Sequence, residues 1–206
     1  MKFDPTDYWN PLYYKINSEI NIKRVEQTID DFKINEKKIM ICGRGESTHP
    51  DFFPRFSTPT TNIDSNLYVI VDHNPNYKNN IIRKGNYALS VIVDPKTGKK
   101  ILEIGGKIFW FSHEILNNKL PKILSGKFPL YNSGLTAISI ATYLNVKYIL
   151  LSGIKFTGYS SFGYPYNQFL DGMKMVIDNS TKHGTKIFSL DGLLAEKITY
   201  SKWCKL

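Results

Sequence analysis

The chain has 206 residues, 42% of them hydrophobic, and Lys and Arg exceed Asp and Glu by nine. That length and apolar fraction fit one α/β domain with a substantial core and exclude an intrinsically disordered chain. The positive balance suits anionic ligands, but the lysines are scattered rather than blocked, so a nucleic-acid face has only weak support beside a generally solvated surface.

The first element is a helix over residues 19–32, where Ile20, Ile22, Val25 and Ile29 recur at near-helical spacing. Residues 1–18 precede it as an N-terminal extension whose aromatics suit a clasp packed across the domain, or a membrane or partner surface. The extension lacks the apolar core of a signal peptide, and no run reaches transmembrane length. Cys42 and Cys204 are the only cysteines and have no metal-ligand spacing, which fits a reduced, cytoplasmic protein.

Residues 38–42, KIMIC, form the first strand, followed by Gly43-Arg44-Gly45 and Ser47. Glycines after a strand let the backbone turn sharply and approach a phosphate or ribose, with N–H groups and the Ser47 hydroxyl as donors. No third glycine completes GxGxxG and no GxxxxGK[ST] occurs, so neither a standard dinucleotide site nor a P-loop follows. A plain glycine turn is the competing reading. Residues 49–64 are rich in Pro, Thr and Phe and predict a loop.

A second strand over 66–72 ends in Asp72-His73, and a third over 87–94 ends in Asp94-Pro95 and a turn at Lys96-Thr97-Gly98. Aspartates at the carboxyl ends of parallel strands bind ribose hydroxyls or act as bases; as helix caps or turn formers they need no such role. His73 is the best-placed general base of the four histidines, while His113 and His183 read as peripheral. Residues 101–111 predict a strand or hairpin interrupted by Gly105-Gly106, and residues 113–124 a short helix broken by Pro121.

The segment YNSGLTAISIATYLNVKYILLSGIKF, residues 131–156, carries the most information. Ser133-Gly134 opens a helix, Asn145 closes it, and residues 147–151 are apolar enough for an internal parallel strand. Gly153 then exposes backbone at that strand's carboxyl end, where ligands of open α/β sheets collect. Paired with the Gly43 turn, this makes a nucleotide crevice the better reading. Residues 157–167 form a Gly-, Ser- and Tyr-rich loop in which the phenols of Tyr164 and Tyr166 are able to donate to phosphate or sugar. A helix over 169–180 and a last strand over 186–190 complete a single Rossmann-like domain, with a mainly parallel sheet and helices on both faces. No HExxH, no Cys/His cluster, no D-x-D pair and no GxSxG elbow is present, which leaves a metal or cofactor held by a short motif, and a serine hydrolase, without support.

SGLTAISIATYLNVKYILLSGIKF resembles the TSG-helix-strand-SGIDF segment of the small bacterial sialyltransferases of glycosyltransferase family 42, and is similar to a related family that includes archaeal 6-hydroxymethylpterin diphosphokinases. KIMICGRGES looks like the family's opening strand and GNGPS, and IFSLDGLLAE like its last strand and Ser-Leu-Leu sequel. The resemblance implies that Gly43, Gly45, Ser47, Ser133 and Gly134 hold a nucleotide-sugar donor, which in the family is of cytidine type, for transfer to an unknown acceptor. Asp72 and Asp94 fall near places where the family has asparagines, Arg44 stands for an asparagine, and Lys155 for the Asp of SGIDF. The two cations suit a more anionic donor or mark the loss of cytidine recognition. The family's lid histidine has no counterpart, so catalysis falls to His73 or Asp72, with Tyr164 or Tyr166 at the leaving phosphate. ATP-dependent diphosphate transfer, and a nucleotide- or sugar-binding module without activity, are the alternatives.

Overall fold

The computed structural model describes residues 11–44, 54–61, 63–126, 131–154, 169–191 and 195–206. Within them lies an eight-stranded sheet in which every neighbouring pair is parallel. Its strands are β1 (Lys38–Cys42), β2 (Arg55–Ser57), β3 (Leu67–Ile70), β4 (Asn86–Ser90), β5 (Lys107–Phe111), β6 (Tyr148–Ser152), β7 (Lys186–Ser189) and β8 (Glu196–Lys197). The helices are α1 (Pro11–Ile22), α2 (Pro95–Glu103), α3 (Ser133–Tyr143), α4 (Leu170–Lys182) and α5 (Tyr200–Cys204). The fold is α/β and Rossmann-like.

Both faces of the sheet are covered, which is why β1, β3 and β6 are apolar along their length rather than alternating. Ile39 and Ile41 of β1 and Leu67 and Val69 of β3 point into one core with Leu135, Ile138 and Ala141 of α3 and Met173 and Val176 of α4. On the opposite face, Tyr68, Ile70, Leu89 and Trp110 pack with Ile101 of α2. Met40, Cys42 and Leu150 pack there with Phe188 and with Trp203 of α5.

Several expected elements are redrawn. Residues 95–103 form α2 rather than a turn and half a hairpin: Pro95 occupies its first turn, Asp94 caps it, and Gly98 is accepted because its missing side chain lets the helix approach Leu89 and Trp110. The loop expected over 49–64 contains β2, which inserts between β1 and β3. Residues 113–124 are turns rather than a helix; Lys122 Nζ donates to Asn118 Oδ1 at 2.9 Å, and Ser112 and Lys122 bridge in parallel. The first helix is shifted to α1, and Ile29–Asp31 is a separate 3-10 turn. Asn145 does end α3, with a positive φ of 60° that suits asparagine.

The clasp at the start of the chain takes an unusual form. α1 buries Tyr14, Asn17, Ser18 and Asn21. Asn17 Nδ2 donates to the Ile92 carbonyl at 2.9 Å, and Asn21 Nδ2 to those of Val91 at 2.9 Å and Val93 at 2.7 Å. The helix therefore satisfies carbonyls that β4 leaves buried at its carboxyl end.

Candidate functional site

The order β5-β4-β3-β2-β1-β6-β7-β8 means that the chain builds one half of the sheet outward from β1, then returns through α3 to lay β6 on the other side of β1. That reversal opens a crevice beyond the carboxyl ends of β1 and β6, where open α/β sheets bind ligands. Cys42 and Ser152, the last residues of the two strands, are register partners, and Gly43 N–H donates to the Ser152 carbonyl at 2.8 Å. A Cβ on Gly43 would collide with the Gly153 carbonyl oxygen and lie 2.8 Å from Ile154 Cγ1. Gly43 is thus demanded by the close approach of two backbones, and Gly153 turns away with a positive φ of 65°.

α3 starts at the same place. Asn132 Oδ1 accepts from Gly134 N–H at 2.8 Å and Leu135 N–H at 3.2 Å, so the cap uses two of the helix's free donors. Ile154 Cδ1 lies 3.7 Å from where a Gly134 side chain would begin, which puts Gly134, Ile154 and Gly43 side by side. Ser133 Oγ accepts from Val71 N–H at 3.4 Å and ties the helix entry to the end of β3. Gly43, Ser133, Gly134 and Gly153 are therefore brought together.

Arg44 stands on the lip of the crevice, its Nε donating to Thr60 Oγ1 at 3.0 Å. Thr60 also bonds Tyr77, whose hydroxyl is held above its ordinary pKa by burial and by the nearby charge of Asp72, with Arg44 acting in the opposite direction. Asp72 Oδ1 accepts from Asn74 N–H at 2.9 Å, a tight turn after β3. His73 beside it is buried, with the Tyr14 ring edge-on at 4.8 Å. Asp94 Oδ1 accepts from Lys96 N–H at 2.8 Å as the cap of α2, beyond β4. Gly45, Ser47, Lys155, Tyr164 and Tyr166 lie outside the described residues.

No family model matches the chain, and no curated protein sequence matches it. Among solved structures, the Maf glycosyltransferase of Magnetospirillum magneticum AMB-1 superposes with a TM-score of 0.61 at 12% identity, over 86% of this chain and 35% of that one. The α-2,3-sialyltransferase of Campylobacter jejuni, in apo form, gives a TM-score of 0.41 at 16% identity over 77% of each chain. The chain shares a glycosyltransferase's fold. It spans about a third of the Maf protein's length.

One group at the strand ends escaped the reading of the sequence. His113, expected to be peripheral, is buried just after β5, its Nε2 2.7 Å from Ser90 Oγ and its ring stacked on Tyr131 at 4.1 Å and 9°. Tyr131 stacks in turn with Tyr14 at 6.3 Å. A continuous row, His113–Tyr131–Tyr14–His73, thus walls the carboxyl edge between β5 and β3. Burial pulls the His113 pKa from 6.5 to about 3, a backbone bond to Ile123 working against it and the Lys122 charge with it, so the ring is neutral near pH 7. Burial first, then the charge of Glu114, raises the Tyr131 hydroxyl. The sequence carried little signal: Ser90 is a polar residue inside the apolar run 87–94 and His113 lies just beyond another, and nothing local pairs them across 23 positions.

Proposed function

We propose that this chain is a sialyltransferase-like glycosyltransferase that takes a nucleotide-sugar donor at the carboxyl edge of its sheet. The observation that carries this reading is the meeting of Gly43, Ser133, Gly134 and Gly153 at the point where the strand order reverses. The fold shared with a glycosyltransferase supports it. In this reading the start of α3 and the Gly43 turn face the donor phosphates, with Arg44 adding a cation at the lip. Gly45, Ser47 and Lys155 are assigned to the same donor by their places in the sequence, and Tyr164 and Tyr166 to the leaving phosphate. Asp72 is the more accessible base for the acceptor hydroxyl, because the Tyr14 ring must move aside before His73 reaches a substrate.

The burial of His73 favours one further reading, a module that binds the nucleotide without turning it over. Incubation with a panel of sugar nucleotides separates the two. Release of free nucleotide, faster with an added acceptor, is expected of the enzyme. Calorimetric binding without release would leave the module, and absence of binding to every member would overturn both.

A further inference from the structure

α1 is amphipathic the wrong way round for a helix that belongs only to this domain. Its packed side carries Asn17, Ser18 and Asn21 beside Tyr14. Its outer side carries Leu12, Ile16 and Ile20 at successive helical turns, 58%, 43% and 38% exposed. An apolar stripe on the solvent side of a surface helix is costly unless something covers it, because the gain from taking that surface out of water is forgone.

The charges around the stripe say what covers it. Lys15 and Glu19 flank it, and Lys23 and Arg24 follow its end. Arg24 is held against α2 by a 3.3 Å bond from Nη1 to the Pro95 carbonyl. From there a groove of about 320 Å³ continues past Leu102, 61% exposed, with Lys99 and Lys107 on its walls and Glu26 as its lining carboxylate. Lys99 also pairs with Glu103 at 3.8 Å. Among these residues Lys15, Lys23, Arg24, Lys99 and Lys107 outnumber Glu19, Glu26 and Glu103, on a chain whose net charge is already +9. A second copy docked through the same face would set these cations against themselves, whereas an anionic bilayer complements them and takes up the isoleucines.

We propose that the α1 face is a membrane-docking surface, lying flat on an anionic bilayer with Ile16 and Ile20 at the level of the headgroups. No helix among the described residues is long and apolar enough to cross a membrane, so the contact is peripheral. It would hold the chain beside acceptors displayed at a bilayer, and it does not depend on the identity of the donor.

Flotation of the full chain tests this directly, with vesicles of phosphatidylcholine and phosphatidylglycerol in equal parts against vesicles of phosphatidylcholine alone. Binding to the anionic vesicles is expected, falling roughly fivefold when Lys23 is replaced in Lys23→Gln and about tenfold or more in Ile16→Ser/Ile20→Ser. Circular dichroism should match the parent, and because both isoleucines are partly covered, binding is compared well below the melting temperature of each protein. Failure to float with anionic vesicles, or equal flotation of parent and double variant, would overturn the proposal. So would a concentration-dependent dimer in sedimentation velocity that the double variant abolishes, without vesicle binding, since that assigns the face to a second copy.

Discussion

Ser133 and His113 show how one residue type takes its role from its surroundings. Ser133 Oγ accepts a long 3.4 Å bond from Val71 N–H, which uses a lone pair and leaves its O–H to donate to a ligand phosphate or sugar oxygen at the same helix start. Ser133→Ala is expected to weaken nucleotide binding by about 1.5–3 kcal/mol, with a change in unfolding free energy within about 1 kcal/mol. Isothermal titration of the folded variant checks it, and unchanged affinity removes Ser133 from the site. His113 titrates in the other direction from a surface histidine. Its pKa falls from 6.5 in the unfolded chain to about 3 in the folded one, so the unfolded state takes up the proton first. The stability it contributes is complete above pH 6.5 and is lost as the pH falls towards 3. In urea unfolding between pH 6 and pH 4, the parent should lose up to about 1.4 kcal/mol per pH unit more than His113→Gln. Parallel slopes would show that the ring is not held neutral.

At the scale of elements, the arrangement rests on polar side chains that close gaps in backbone hydrogen bonding. Asn21 reaches two carbonyls beyond β4, Asp94 caps α2 and Asn132 caps α3. Asn21→Leu would strand both carbonyls and is expected to cost about 1–3 kcal/mol, freeing α1 before the sheet melts. Hydrogen exchange localised to residues 11–22 would register this. Uniform loss of protection across β1 and β6 would instead mean that α1 and the sheet unfold as one unit. Because α1 also places Tyr14 over His73, the same variant exposes the imidazole. The elements legible in the sequence were those with long apolar runs: β1, β3, β4, α3, β6, α4 and β7. The missed ones had contrary local signals. Thr97-Gly98 reads as a turn until Gly98 is seen packing on Trp110, and Arg55-Phe56-Ser57 is too short to signal a strand without neighbours on both sides.

For the molecule as a whole, metal dependence divides the two donor chemistries proposed for this crevice. Diphosphate transfer from ATP requires Mg²⁺ to orient and neutralise the phosphates, while sugar transfer aided by phenols and backbone donors does not. Asp72 and Asp94 each accept a backbone N–H in a separate local turn, Asp72 from Asn74 and Asp94 from Lys96. Transfer activity is expected to survive excess EDTA. Loss in EDTA, recovery with Mg²⁺ and inactivity of Asp94→Asn together would reassign the crevice to diphosphate transfer.

The sequence alone determined the parallel α/β class, the strand that ends at Gly43, and the helix-to-strand passage from Ser133 to Gly153. Each of these is written in local periodicity and in residues whose backbone preferences are strong: a glycine after a strand, an asparagine where a helix stops. Tertiary structure decided which strands became neighbours. It therefore decided that Gly43 and Gly153 touch, that Arg44 meets Thr60 and that Tyr77 lies near Asp72. It also decided that His113, unremarkable along the chain, is locked between Ser90 and Tyr131. Apart from the local pair Tyr77–Asp72, those pairings join residues from 16 to more than a hundred positions apart, and they arise only when burying both faces of the sheet sets the strand order. The exposed stripe on α1 has the same origin. Ile20 counted in the sequence only as part of a helical period, and it is the carbonyls left beyond β4, which draw Asn17 and Asn21 inward, that turn it and Ile16 outward.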